Sequence, residues 1–163
     1  MTAVPAPLPT PPLLPALDLQ VEVATPIEVG QTGIGQRRLI PILGGTAQAS
    51  AERGGWQARV MPGGADFQLI IAGRSAQLDA RYVLETDGGD RIFVVNHAMR
   101  SGPPALIDKL ARGEPVDPAL IYFRCVPTFE VAAPSLAWLT ERIFLGTGAR
   151  HPSQVVMRFF EVG

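Results

Sequence analysis

Three strand-like stretches of this chain carry most of the side chains able to do chemistry. In "MPGGADFQLII" Asp66 stands at the seam between a turn and an apolar run. An aspartate after Gly-Gly is a good turn former. That turn already has Pro62, Gly63 and Gly64, and Asp66 shares a strand face with Gln68 and Ile70. An acid/base group bordering a cavity therefore stands beside the turn reading. Arg124 lies inside the apolar "LIYFRCVPTF". A buried guanidinium is costly without a carboxylate, so Asp66 or Glu130 is the expected partner. Two readings stay open for Arg124, a structural or rim arginine and a fork holding a substrate carboxylate, carbonyl or enolate oxygen. Glu130 falls on the face of Arg124, Val126 and Thr128. Tyr82 alternates with Ala80 and Leu84, the more apolar face, and should point inward while Arg81 points outward. Its hydroxyl is either a proton donor and oxyanion stabiliser or the satisfied tip of a core residue. Tyr122, on the Arg124 face, carries the same two readings.

The other reactive residues fit plainer roles. His97 ends a strand as a rim or core residue, and His151 lies in a turn. Cys125, the single cysteine, reads as a small buried hydrophobe. One cysteine and two histidines build neither a disulfide nor a cysteine zinc site, so no metal and no cofactor is expected. "GQTGIGQRR" has the glycines of a phosphate loop without its strand–loop–helix setting or its Lys-Ser/Thr ending.

The elements that must position these residues are strands. "LDLQVEVATPIEVG", "RRLIPILGGTAQA", "ALIYFRCVPTFEV", "LAWLTERIFLGTG" and "SQVVMRFFEVG" read as β, with a bulge at Gly44-Gly45. Pro62-Gly63-Gly64 is expected to turn one hairpin, and Asp87-Gly88-Gly89 a second. Only "PPALIDKLARGEP" reads as helix, a short surface helix near 104–112 stopped by Gly113. The fold class is all-β, mainly antiparallel, a single compact β-barrel over residues 17–163. Residues 1–16 form a proline-rich arm, flexible or packed on a neighbour, with Leu13, Leu14 and Leu17 as anchors. Strands such as "IFVVN" are apolar on both faces, which implies a covered outer face and a homo-oligomer. A formal charge of −1 without a basic tract argues against nucleic acid. With no apolar run of membrane length and no charged, helical leader, the expectation is a cytoplasmic protein.

The pieces "GGADFQ", "LDARYVLETDGGDRIFVVN", "YFRCVPTFE" and "AWLTERIFLGTG", in that order, resemble the landmarks of the domain of unknown function 3237 family. The likeness runs from about Leu19 to Val162. It implies a compact antiparallel barrel and no established common activity. Phe67 stands where the family pattern has Trp, while Asp66, Tyr82, Asn96, Arg100, Arg124, Glu130 and Trp138 sit where it expects them. The resemblance thus adds Phe67, Asn96 and Trp138 to Glu130 and Tyr122 as candidate substrate-binding residues. Cys125-Val126 and Val131-Ala132 replace the usual Thr-Thr and Thr-Gly pairs, which implies a more apolar pocket if that segment lines it.

With no nucleophile–base pair in the sequence, the first expectation is a cofactor-independent enzyme acting on a small carbonyl- or carboxylate-bearing molecule. Asp66 would be its acid/base, Arg124 its anion clamp and Tyr82 its proton donor or oxyanion stabiliser. Isomerisation, elimination, addition and cyclisation all suit that set. The alternatives are a non-catalytic ligand-binding barrel and a shape-template cyclase lidded by the arm.

Overall fold

A computed structural model describes residues 6–163. Ten strands run in chain order: β1 Leu13–Val23, β2 Ile27–Thr32, β3 Gly35–Ala49, β4 Gln57–Val60, β5 Ala65–Ile71, β6 Ser75–Thr86, β7 Arg91–Ser101, β8 Tyr122–Val131, β9 Phe144–Arg150 and β10 Gln154–Val162. Helix α1, Pro104–Ala111, joins β7 to β8. Every pairing is antiparallel, in the order β1-β10-β9-β8-β7-β6-β4-β3, and pairing of β1 with β3 closes the ring. β4 and β5 follow one another along the same lane between β3 and β6, and β1 and β2 share a lane along β3. The result is a closed eight-stranded barrel.

Alternation sets what points inward. In β8, Phe123, Cys125, Pro127 and Phe129 are buried while Tyr122, Arg124, Val126, Thr128 and Glu130 are exposed. Pro127 does not disturb this parity. β8 bonds β9 only over Arg124–Thr147 and Cys125–Gly146, so the proline falls where that ladder has already ended. The main core combines Leu17, Leu19, Val21, Leu84, Ile92, Val94 and Phe159 with an edge-to-face Phe129–Phe144 pair, centroids 5.1 Å apart. One barrel end is closed by the turn Pro134–Thr140, which buries Leu136 and Leu139. The other is covered by α1, where Ile107 and Leu110, three apart on one helix face, pack with Ile70, Leu78 and Phe123. Pro104 suits the first turn, where no N–H is needed, and Gly113 at φ +77° ends the segment.

The hairpin at Asp87-Gly88-Gly89 is present, and the Gly44-Gly45 bend coincides with a register shift between Glu22 and Val23. Two expectations are corrected. Pro62-Gly63-Gly64 turns no hairpin: β4 and β5 never pair, and the chain kinks there and continues in its lane. Gly64 makes this possible, because a Cβ at that position would run into the Arg81 carbonyl and the Tyr82 Cβ of β6. The proline arm also ends earlier than residue 16. β1 begins at Leu13, and Pro15, which lacks an N–H, is accommodated by a register shift between Pro15 and Leu17. Leu17 is buried as an anchor, but Leu13 and Leu14 are exposed. Residues 6–12 are exposed and outside any strand, Pro12 C=O accepting from Gly163 N–H at 2.9 Å; the first five residues of the arm lie outside the described residues. Among the described residues no helix is long and apolar enough to cross a membrane.

Candidate active site

The β5–β6 ladder opens in its middle. Ala65 pairs with Arg81 and Asp66 with Ala80, and pairing resumes only at Leu69–Gln77. Opposite this gap the Asp66 carboxylate substitutes for a main-chain acceptor, Oδ1 receiving the Asp79 N–H at 3.0 Å. The Phe67 carbonyl accepts from the Arg37 guanidinium at 3.1 Å. Oδ2 of Asp66 accepts from Gln68 Nε2 at 3.3 Å. Asp66 is therefore not a cap of its own turn. It is 7% exposed, and burial pushes its pKa up to about 6 despite the Asp79 N–H, the Arg100 charge and the Gln68 bond, all of which favour the anion.

Asp66, Tyr82 and Asn96 meet at an internal cavity of about 40 Å³, walled by Leu78, Ala80, Phe123 and Met157. The Tyr82 hydroxyl and Asn96 Oδ1 are buried and have no partner among the described residues, while Asn96 Nδ2 reaches Met157 Sδ at 3.3 Å. Orphaned polar atoms of this kind are rare in native interiors and point to water or a ligand group. Burial raises the Tyr82 pKa, so the phenol keeps its proton and serves as a hydrogen-bond donor. Leu78 also borders an outer groove of about 240 Å³ lined by Arg37, Phe67, Asp79 and His97. It separates the cavity from solvent at the point where the ladder is open. Phe67 thus lies outside, exposed in the outer groove.

The remaining candidates lie elsewhere. Arg124 faces outward, donating from Nη1 to the Phe123 carbonyl at 2.9 Å and stacking over the Tyr122 ring at 5.0 Å. Being exposed, it needs no buried carboxylate, and the partnership expected with Asp66 or Glu130 is corrected. Tyr122, 52% exposed, lines the same outer groove as Arg124, about 570 Å³ along the β8–β9 seam, and Glu130 is exposed further along β8. Trp138 packs on Phe144 at the far end of the barrel, with the Arg53 guanidinium 4.6 Å above its ring. The Arg124→Ala variant is expected to melt within about 1 kcal/mol of wild type in urea, as exposed groups do.

Strand reasoning missed three buried arginines, Arg38, Arg100 and Arg150, which are 2%, 3% and 8% exposed. Each feels the field of Asp66; Arg38 also feels Glu28, Arg150 feels Arg38, and burial together with Arg150 and Arg38 brings Arg100 down to about 10. The available signal was parity: Arg38 is in phase with Ile40 and Ile42, and Arg100 with Asn96 and Ala98.

A family model described as "Protein of unknown function (DUF3237)" matches residues 11–162. The chain belongs to that family. It is 45% identical over 133 residues to a UPF0311 protein of Rhodopseudomonas palustris strain TIE-1, covering 82% of this chain and 84% of that one. A crystal structure of a conserved protein of unknown function from Rhodopseudomonas palustris superposes with a TM-score of 0.88 at 38% identity, over 96% of this chain and 100% of that one. A chain from Penicillium herquei described as an enzyme superposes with a TM-score of 0.71 over 98% of this chain and 100% of that one; at 14% identity it speaks to the fold alone.

Proposed function

We propose that the barrel of this DUF3237 member is a cofactor-independent acid/base enzyme for a small carbonyl- or carboxylate-bearing molecule. The observation that carries the reading is a buried carboxylate, with its pKa near 6, sharing a cavity with an unpartnered phenol. In the reaction, Asp66 takes the proton from a carbon next to a carbonyl as that C–H bond breaks. The electron pair moves to the carbonyl oxygen, where the Tyr82 hydroxyl donates to the developing enolate. Return of the proton to a neighbouring atom completes an isomerisation, and attack by the enolate on an electrophilic carbon completes a cyclisation. The cavity has room for no more than a water or two as it stands, so the substrate enters by displacing Leu78 into the outer groove.

The test is proton exchange, which requires no knowledge of the natural substrate. A panel of small ketones, keto acids and 1,3-dicarbonyl compounds is incubated in D2O and the loss of α-proton signal is followed by NMR. Wild-type protein should accelerate exchange of at least one class, Tyr82→Phe should slow it, and Asp66→Asn should abolish it. Equal exchange by wild type and Asp66→Asn would reject the assignment and favour the ligand-binding barrel.

We also propose that the chain self-associates, as its two-sided apolar strands lead one to expect. Met99, Tyr122, Val126 and Leu145 expose an apolar strip along the β8–β9 seam, and a second copy of the chain is the occupant we propose. Light scattering after size exclusion should return a multiple of the chain mass for wild type and a monomer for Val126→Glu. A monomeric wild type would reject it.

A further inference from the structure

Arg38, Arg100 and Arg150 bring three guanidiniums into the α1-covered end of the barrel, where Asp66 is the one buried carboxylate they face. Arg38 is the best satisfied: Nη1 donates to Ala111 C=O at 2.9 Å and lies 3.5 Å from the largely solvated Glu28. Arg150 donates weakly to Gln154 C=O at 3.4 Å. Arg100 makes no ion pair within 4.0 Å and no hydrogen bond among the described residues, and its guanidinium carbon sits 5.8 Å from the Phe123 ring centroid. The Nε atoms of Arg38 and Arg100 are both buried without partners. Burying like charges together is unfavourable unless an anion compensates them. Glu28 compensates Arg38, and Asp66, farther than 4.0 Å from each of the three, balances one more, which leaves one guanidinium charge in excess. The surplus lies beside the cavity: Arg100 is one inward position beyond Ala98, which with Phe123 forms part of the wall.

We propose that this end of the barrel is an oxyanion site whose ligand is a small organic acid, with its carboxylate held by Arg100 and flanked by Arg38 and Arg150. Its carbon skeleton lies against Phe123, Leu78 and Met157. An aromatic face behind a guanidinium fork and an apolar cavity in front suit an acid with a short hydrocarbon body better than free inorganic phosphate. The inference rests on the acid/base reading only in that it names the substrate class of the same cavity. A carboxylate anchored there would present its neighbouring carbons to Asp66.

Propanoate and its neutral isostere propanamide serve as probes at constant ionic strength set with sodium chloride, with binding read by thermal melting and by calorimetry. Propanoate should stabilise the wild-type chain and propanamide should not. Arg100→Met should weaken propanoate binding at least ten-fold, and Arg100→Lys should retain part of it. Asp66→Asn should bind at least as tightly as wild type, since it removes a competing negative charge, although it would be dead in proton exchange. Loss of exchange with intact propanoate binding therefore tests the two ideas apart. If Arg100→Met does not fold, the comparison of propanoate with propanamide on wild type decides. Equal melting temperatures in propanoate, propanamide and chloride, or undiminished binding by Arg100→Met, would overturn the site.

Discussion

Asp66→Asn is expected to lower any catalysed proton exchange by about 10²- to 10⁴-fold, the usual contribution of a positioned acid or base, while keeping the fold. The amide oxygen of asparagine can still accept the Asp79 N–H that the Oδ1 of Asp66 accepts now, so the opened β5–β6 ladder keeps its cross-strand bond. The same substitution should change how stability depends on pH. Burial lifts the Asp66 pKa from 3.8 to about 6. Below pH 4 folded and unfolded chains both carry the proton. Between the two values the folded chain holds a proton that the unfolded chain has lost, so each step up in pH favours unfolding. Above pH 6 both are ionised, and the wild type has lost about 3 kcal/mol of stability relative to acid. Urea titrations at pH 4 and pH 7 should show this decline in wild type and its absence from the Asp66→Asn difference. A wild-type curve with the same slope as Asp66→Asn would mean that the carboxylate is solvated and unsuited to the proposed chemistry.

The second large effect is predicted at the barrel seam. Gly45 pairs with Val21 where β3 closes the ring on β1, at φ +128°. A Cβ there would run into the Gln20 carbonyl oxygen and come within 3.0 Å of Val21 Cα. Both neighbours are backbone of the strand that closes the barrel, so relief requires the strands to part. Gly45→Ala should cost about 4 kcal/mol, combining backbone strain with overpacking. Gly55→Ala is the control. Gly55 also has positive φ, +59°, but nothing lies within 4 Å of an added Cβ, and its cost should be about 1 kcal/mol. Urea unfolding of the two variants separates close approach from dihedral strain. Similar losses would show that the seam tolerates a methyl group.

Much of this protein was legible in its residues. Alternation in β8 and β6 assigned Tyr82 inward and Arg81 outward, placed Tyr122, Arg124 and Glu130 together on one face, and showed the all-β class. The order of four motifs identified the family. Prolines 103 and 104 with Gly113 bracketed the helix, because breakers act locally and need no tertiary partner. Which face of β8 is the interior was not local information. Both faces of "LIYFRCVPTF" are largely apolar, and only closure of the ring put Phe123 inside and Arg124 outside. The Pro62-Gly63-Gly64 segment has the residues of a hairpin, yet the long β3 and β6 on either side hold β4 and β5 in one lane, so the same residues make a kink. Closure also assembled the buried charge. Arg38, Asp66, Arg100 and Arg150 are widely separated in sequence and lie on four strands, β3, β5, β7 and β9. Each is an ordinary polar residue in its own stretch. Curvature of the sheet into a barrel, with α1 over its end, gives them a shared interior from which water is largely excluded and in which their charges act on one another.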